Sequence, residues 1–269
     1  MTLLAAPPHV VGTINPNGLA GLVCLPATDR HVDIVEARFD LALPDVVNGK
    51  ASAPPIPPPL RRDQASLLAP IFAPFLASCA RLEQTGMPVL ATIRLIPDGG
   101  RWVEDVTRLP WFDQALAVVS WVDIEIESAL AGEIVRLARA RGKRVIISHH
   151  DFAGTPDLAV LTALTDRARA AGADIVKVAT AVDSLEAHDR LIDLLRAQRA
   201  SPGAPLAVIG MGPIGTSLRT YLPSVGSSLT YGYLDSVAAP GQIDARDLVR
   251  RLIVDCPAYA DRRRGQGRL

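Results

Sequence analysis

Ala173-Asp174-Ile175-Val176-Lys177-Val178-Ala179 sets a single lysine in the middle of a short, mostly apolar run that reads as a buried strand. The two-residue period of a strand sends Ile175, Lys177 and Ala179 to one face and Asp174, Val176 and Val178 to the other. Lys177 therefore points into whatever this sheet encloses. A neutral amine in a pocket is the nucleophile that carbonyl substrates meet when they form Schiff bases. A buried lysine paired with a carboxylate for purely structural reasons fits the same position.

Outward from this stretch, strand-like runs recur along the chain. They span His9 to Ile14, Val32 to Phe39, Pro88 to Leu95, Trp121 to Ile126, Arg144 to Ser148, Asp174 to Ala179, Leu206 to Met211 and Ser228 to Leu234. Amphipathic segments lie between or after several of them: Ala129 to Ala140, Pro156 to Ala170, Ser184 to Arg199 and Ala245 to Cys256. Eight strands alternating with helices in 269 residues predict a closed parallel (β/α)8 TIM barrel, an α/β fold built as a single domain. A doubly wound open sheet would carry a glycine fingerprint after an early strand; Met211-Gly-Pro-Ile-Gly215 comes late and has the wrong spacing. The barrel is expected over 1–256, with a flexible, solvated tail over 257–269. Between the second and third strands, 43–63 reads as a proline-rich insertion around Ala53-Pro-Pro-Ile-Pro-Pro-Pro59. The following Gln64 to Thr85 is apolar enough for a core-facing helix, which Pro70 and Pro74 should kink or delay. Pro26 limits the first helix to roughly Asn17 to Leu25.

Composition narrows the partners. Hydrophobic residues make up 49% and charged residues 21%, with zero formal net charge, so a basic stripe for nucleic acid is absent and a small molecule is the expected partner. Cys24, Cys79 and Cys256 lack paired spacing and read as reduced thiols of a cytoplasmic protein. The start, Met-Thr-Leu-Leu-Ala-Ala-Pro-Pro, has neither the positive region nor the long apolar core of a signal peptide, and no run is long enough to span a bilayer. A homodimer is compatible with the sequence and not required by it.

Barrels of this kind carry their chemistry at the C-terminal ends of the strands. Glu36, Arg38 and Asp40 share one parity on the second strand, and the third ends in Thr92-Ile-Arg94 followed by Pro97-Asp-Gly-Gly100. Asp123, Glu125 and Glu127 share a face of the fourth, where pairing with barrel cations is the preferred reading. At the end of the fifth, Ile146-Ile-Ser-His-His-Asp151 offers two histidines, of which one faces outward; the pattern alone does not choose between them. Adjacent histidines lack the i, i+4 spacing that presents two ligands to one zinc, and no metal or other cofactor is expected.

Taken in order, Asp33-Ile-Val-Glu-Ala-Arg-Phe-Asp40, Pro88-Val-Leu-Ala-Thr-Ile-Arg94 with Gly99-Gly100, Val122-Asp-Ile-Glu125, Ser148-His-His-Asp-Phe152 with Thr155-Pro156, Ala173-Asp-Ile-Val-Lys177, Met211-Gly212 with Arg219, and Ala239-Pro-Gly-Gln242 resemble the motifs of type I 3-dehydroquinate dehydratases of the shikimate pathway. The resemblance covers most of the chain and implies a metal-free lyase converting 3-dehydroquinate to 3-dehydroshikimate. It makes Lys177 the Schiff-base nucleophile and, because the family's histidine directly precedes Asp-Phe, His150 the general acid and base. It places Glu36, Arg38 and Arg94 on the substrate hydroxyls, Arg219 on the carboxylate and Gln242 in a lid, with Thr13 as a further hydroxyl contact. Three positions depart from the pattern. Asp98 stands where a glutamate usually pairs with the histidine, while Leu218 and Ala238 replace serines. Another Schiff-base enzyme of the aldolase type is the first alternative, which Arg219 with Gln242 disfavours by suiting a small carboxylate; a weakened relative that binds a shikimate-like ligand as a regulator is the second.

Overall fold

The computed structural model describes residues 8–26, 30–43, 46–47, 50–51, 65–198 and 203–268. Eight parallel strands form one sheet: β1 (His9–Ile14), β2 (Ile34–Arg38), β3 (Val89–Thr92), β4 (Trp121–Glu125), β5 (Arg144–Asp151), β6 (Ile175–Ala181), β7 (Leu206–Met211) and β8 (Leu229–Tyr233). Their spatial order is β8-β1-β2-β3-β4-β5-β6-β7. A single backbone bond from Ser228 N to Leu206 O, 2.7 Å, draws β8 toward β7 and nearly closes the ring. The expected (β/α)8 barrel is therefore what this sequence forms.

Helices cover the outside: α1 (Pro16–Cys24), α2 (Ala65–Gln84), α3 (Leu109–Val118), α4 (Ala131–Ala140), α5 (Leu158–Ala170), α6 (Leu185–Gln198), α7 (Gly212–Ser224), α8 (Ala245–Asp255) and α9 (Pro257–Gly265). The alternation of each strand separates two apolar layers. Val11, Ile34, Leu90, Ile146, Ile175, Ala207 and Leu229 fill the barrel interior, while Val10, Val35, Ala91, Val122, Ile147, Val176 and Val178 pack outward among the helices. Lys177 shares the inward parity of Ile175, as its strand period requires.

Three expectations change. α2 begins at Ala65 and runs unbroken through Pro70 and Pro74, because both rings lie on its exposed face while Phe72, Phe75, Cys79 and Leu82 anchor the other. The helices α3 and α7 were not among the segments read from periodicity; each has proline at its start, which suits a first helical turn. The tail expected over 257–269 is instead the docked helix α9 through Gly265, with Tyr259, Ala260 and Arg263 buried. It forms because Asp33, buried beneath the barrel, takes ion pairs from Arg262 at 2.7 Å, Arg263 at 3.4 Å and Arg268 at 3.3 Å. Of the proline-rich insertion, Leu43 and the antiparallel pair Val46–Val47 with Lys50–Ala51 are described; Pro54 to Pro59 lie outside the described residues. No helix among the described residues is long and apolar enough to cross a membrane.

Candidate active site

Parallel pairing of β5 with β6 sets Ser148 opposite Lys177 and His150 opposite Ala179. Ser148 and His150 thus share the inward parity of Lys177, and His149 faces out, where its Nδ1 meets Glu127 at 3.2 Å. Register settles which histidine enters the site. A cavity of about 140 Å³ at the C-terminal mouth is lined by Glu36, Arg38, Arg94, Asp98, His150, Lys177, Arg219 and Gln242, together with Phe152, Met211, Tyr231 and Ala238. All of the expected site residues but Thr13 meet there. Thr13 stands behind the wall, donating its hydroxyl to Glu36 Oε2 at 2.8 Å and accepting from Gln242 Nε2 at 3.3 Å.

Lys177 is 6% exposed. Its Nζ donates to Asp123 Oδ2 at 3.0 Å and lies 4.5 Å from the centre of the Tyr231 ring. Asp123 is fully buried and also receives Arg94 at 2.8 Å and the Ser148 hydroxyl at 2.6 Å. Burial works against its charge, but Arg94 and then Lys177 outweigh it and hold the carboxyl well below the usual carboxylate range. The pairing preferred for Asp123 on sequence is thus observed, and one of its partners is the lysine itself. Glu125 accepts from Arg94 Nη1 at 3.0 Å and from Arg108 Nη1 at 2.7 Å, so two buried cations fix its orientation.

The His150 side chain is 8% exposed, and desolvation first, then the Arg94 and Lys177 cations, push its imidazole well below the ordinary histidine value. The ring is consequently neutral and ready to accept a proton at neutral pH. Its Nδ1 lies 3.5 Å from Asp98 Oδ1, beyond good hydrogen-bond geometry, and has no hydrogen-bond partner among the described residues. Burial, and next the charge of Glu125, raise Asp98 to about 6. The loop holding Asp98 turns through Gly99 at φ 80°. A side chain on Gly100 would begin 2.1 Å from the Arg94 carbonyl oxygen, so only glycine lets the loop close over β3.

On the opposite wall, Arg219 is 3% exposed. It donates to three main-chain carbonyls, those of Gly241 at 2.6 Å, Tyr231 at 3.0 Å and Pro240 at 3.1 Å. Among the described residues no carboxylate pairs with it, and burial alone lowers it to about 10. Such a cation is a ready seat for an anionic ligand. Gln242 Oε1 accepts from Ala238 N at 2.9 Å and Ala239 N at 3.1 Å, folding the β8-α8 loop across the mouth. Arg38 is held bidentately by Asp40 at 2.9 and 2.7 Å, and Glu36 accepts from Thr92 at 2.9 Å besides Thr13. Leu218 points into the core, 1% exposed, so the missing serine there leaves no gap in the cavity wall.

Sequence reasoning missed Tyr231 and Ser148. Both lie on the inward parity of their strands, so the signal was present, but neither type stood out before the register placed it beside Lys177 and Arg94.

A family model described as Type I 3-dehydroquinase matches residues 20–255. The 3-dehydroquinate dehydratase of Methanococcoides burtonii is 29% identical over 248 residues, covering 91% of this chain and 93% of that protein. The 3-dehydroquinate dehydratase of Methanothrix thermoacetophila is 30% identical, covering 90% and 89% respectively. In three dimensions the chain resembles the crystal structure of 3-dehydroquinate dehydratase from Geobacillus kaustophilus, with a TM-score of 0.74 and 22% identity over 94% of this chain and 98% of that one.

Proposed function

Given that this chain belongs to the type I 3-dehydroquinase family, we propose that it dehydrates 3-dehydroquinate through a Schiff base on Lys177, with His150 moving the protons. The observation that carries the reading is a buried lysine and a neutral, largely desolvated histidine lining one cavity. Lys177 Nζ adds to the substrate ketone and water leaves, giving an iminium. That cation draws electrons from the adjacent carbon, whose proton becomes far easier to remove than it is beside the ketone. His150 takes the proton and then delivers one to the departing hydroxyl, leaving a conjugated enone. Hydrolysis of the iminium frees Lys177.

The surroundings suit each step. Asp123 at 3.0 Å and the Tyr231 ring suit a cation at Nζ, which the proposed iminium is. Arg219, seated only on carbonyls, takes the substrate carboxylate; Glu36, Arg38 and Arg94 take hydroxyls; Gln242 and Thr13 hold the loop that covers them. A cytoplasmic location belongs to the same proposal.

The test is direct because the chain has only three lysines, Lys50, Lys143 and Lys177. Incubation with 3-dehydroquinate, reduction with borohydride and mass spectrometry should map one adduct to Lys177. Lys177→Ala should lose dehydration at least a thousandfold while melting as the wild type does, since it removes the nucleophile and leaves no new unpaired amine. An adduct on either other lysine overturns the assignment.

A further inference from the structure

The steps above give a task to the ring of Tyr231 and none to its hydroxyl. Tyr231 sits on β8 with its ring against Lys177 Nζ, and it is 4% exposed. Its hydroxyl is buried and, among the described residues, has no hydrogen-bond partner. An unpaired buried hydroxyl forfeits its hydration without return, and phenylalanine would fill the same volume free of that cost. Every other polar side chain lining the cavity has a partner or a role in the proposed chemistry. Burial, then the charges of Glu36 and Asp123, push the phenol well above its ordinary value, so it stays protonated and able to donate.

Resting on the Schiff-base reading of Lys177, we infer that the Tyr231 hydroxyl donates a hydrogen bond to the ketone oxygen of bound substrate while Lys177 adds to the carbonyl carbon, making Tyr231 a specificity-determining contact for the ketone. The overall step is balanced without help from outside. The ammonium first passes one proton to His150; the lone pair so freed forms the C–N bond, the carbonyl π pair moves onto oxygen, and His150 hands its proton on to that oxygen. Two of the three ammonium protons end on that oxygen, which leaves as water, and the iminium keeps the third. Tyr231 gives up no proton; it stabilises the charge that gathers on oxygen as the C–N bond forms. Its ring remains behind as the surface on which the iminium rests.

The experiment compares wild type with Tyr231→Phe, which keeps the ring and removes only the hydroxyl. Rapid mixing with 3-dehydroquinate, quenching into borohydride at timed intervals and quantifying the Lys177 adduct gives the rate of iminium formation. The expected result is about tenfold slower trapping in the variant, the effect of one lost hydrogen bond in a dry site, with a melting temperature equal to or above that of the wild type. Trapping at the wild-type rate overturns the inference. Absence of any adduct on Lys177 in the wild type overturns the Schiff-base reading instead. A crystal structure of Lys177→Ala with 3-dehydroquinate bound reads the same contact without altering Tyr231: a ketone oxygen within hydrogen-bond distance of Oη supports it, and one out of reach overturns it.

Discussion

At the scale of single residues, the proposed chemistry assigns the pH dependence to the pair Asp98 and His150. His150 Nδ1 and Asp98 Oδ1 are 3.5 Å apart, so the imidazolium that the proposed proton abstraction creates would gain little from this carboxylate. Burial first, then Arg94, Lys177 and Arg38, depress His150 with no compensating bond at Nδ1. Asp98→Glu adds one methylene, which closes that gap and favours the charged ring. The acidic limb of the turnover profile should therefore move to higher pH in Asp98→Glu, by about one unit. In Asp98→Ala the same limb should stay where it is or move lower. Three superimposable profiles would remove Asp98 from the proton transfer.

At the scale of elements, α9 closes the bottom of the barrel, opposite the chemistry. Truncation after Cys256 removes Arg262, Arg263 and Arg268 and strands Asp33 beneath β1 without a cation. Breaking a buried ion pair from one side costs about 3–5 kcal/mol, which in a chain of this size lowers Tm by roughly 10 °C. Adding Asp33→Asn to the truncated chain should recover part of the loss, because no charge is then left stranded; unchanged melting of the truncated chain would show α9 to be incidental. His9, at the start of β1, gives the same region a pH dependence. Burial first, and then Arg262, lower it from the ordinary 6.5 to about 4. The folded state thus binds the His9 proton less readily than the unfolded chain, so the stability it contributes is complete above pH 6.5 and is lost as pH falls toward 4. Tm measured across that window should fall less steeply in His9→Gln, whatever slope His150 and, in the opposite sense, Asp98 add to both curves. Parallel curves would rule His9 out.

Across the whole molecule, the barrel lets residues from six strands and the segments after them converge on one small cavity. In the proposed mechanism activation comes from converting a ketone to an iminium, which leaves no step in need of a Lewis acid. Exhaustive dialysis against a chelator should leave turnover within experimental error of the untreated enzyme. Loss of activity on chelation, restored by a divalent cation, would require a different mechanism.

What the sequence determined by itself was set by local periodicity. The two-residue alternation of β6 sent Lys177 inward and Val176 and Val178 outward, that of β2 sent Glu36 and Arg38 to the same interior, and eight such runs alternating with helices specified the barrel. These are properties of backbone geometry, which a few neighbouring residues are enough to express. Tertiary structure decided the rest. The choice of His150 over His149 needed the register of β5 against β6. The bonding of Asp123 to Lys177, two strands apart, depended on how the interior side chains meet across the barrel. Arg219 became a cation without a carboxylate only because the β8-α8 loop brought carbonyls to it. The residues read as a frayed tail became α9 because Asp33, more than two hundred residues earlier, needed counter-charge below the sheet. Each of these outcomes rests on distances set by strand register and helix packing, which have no counterpart in the spacing of residues along the chain.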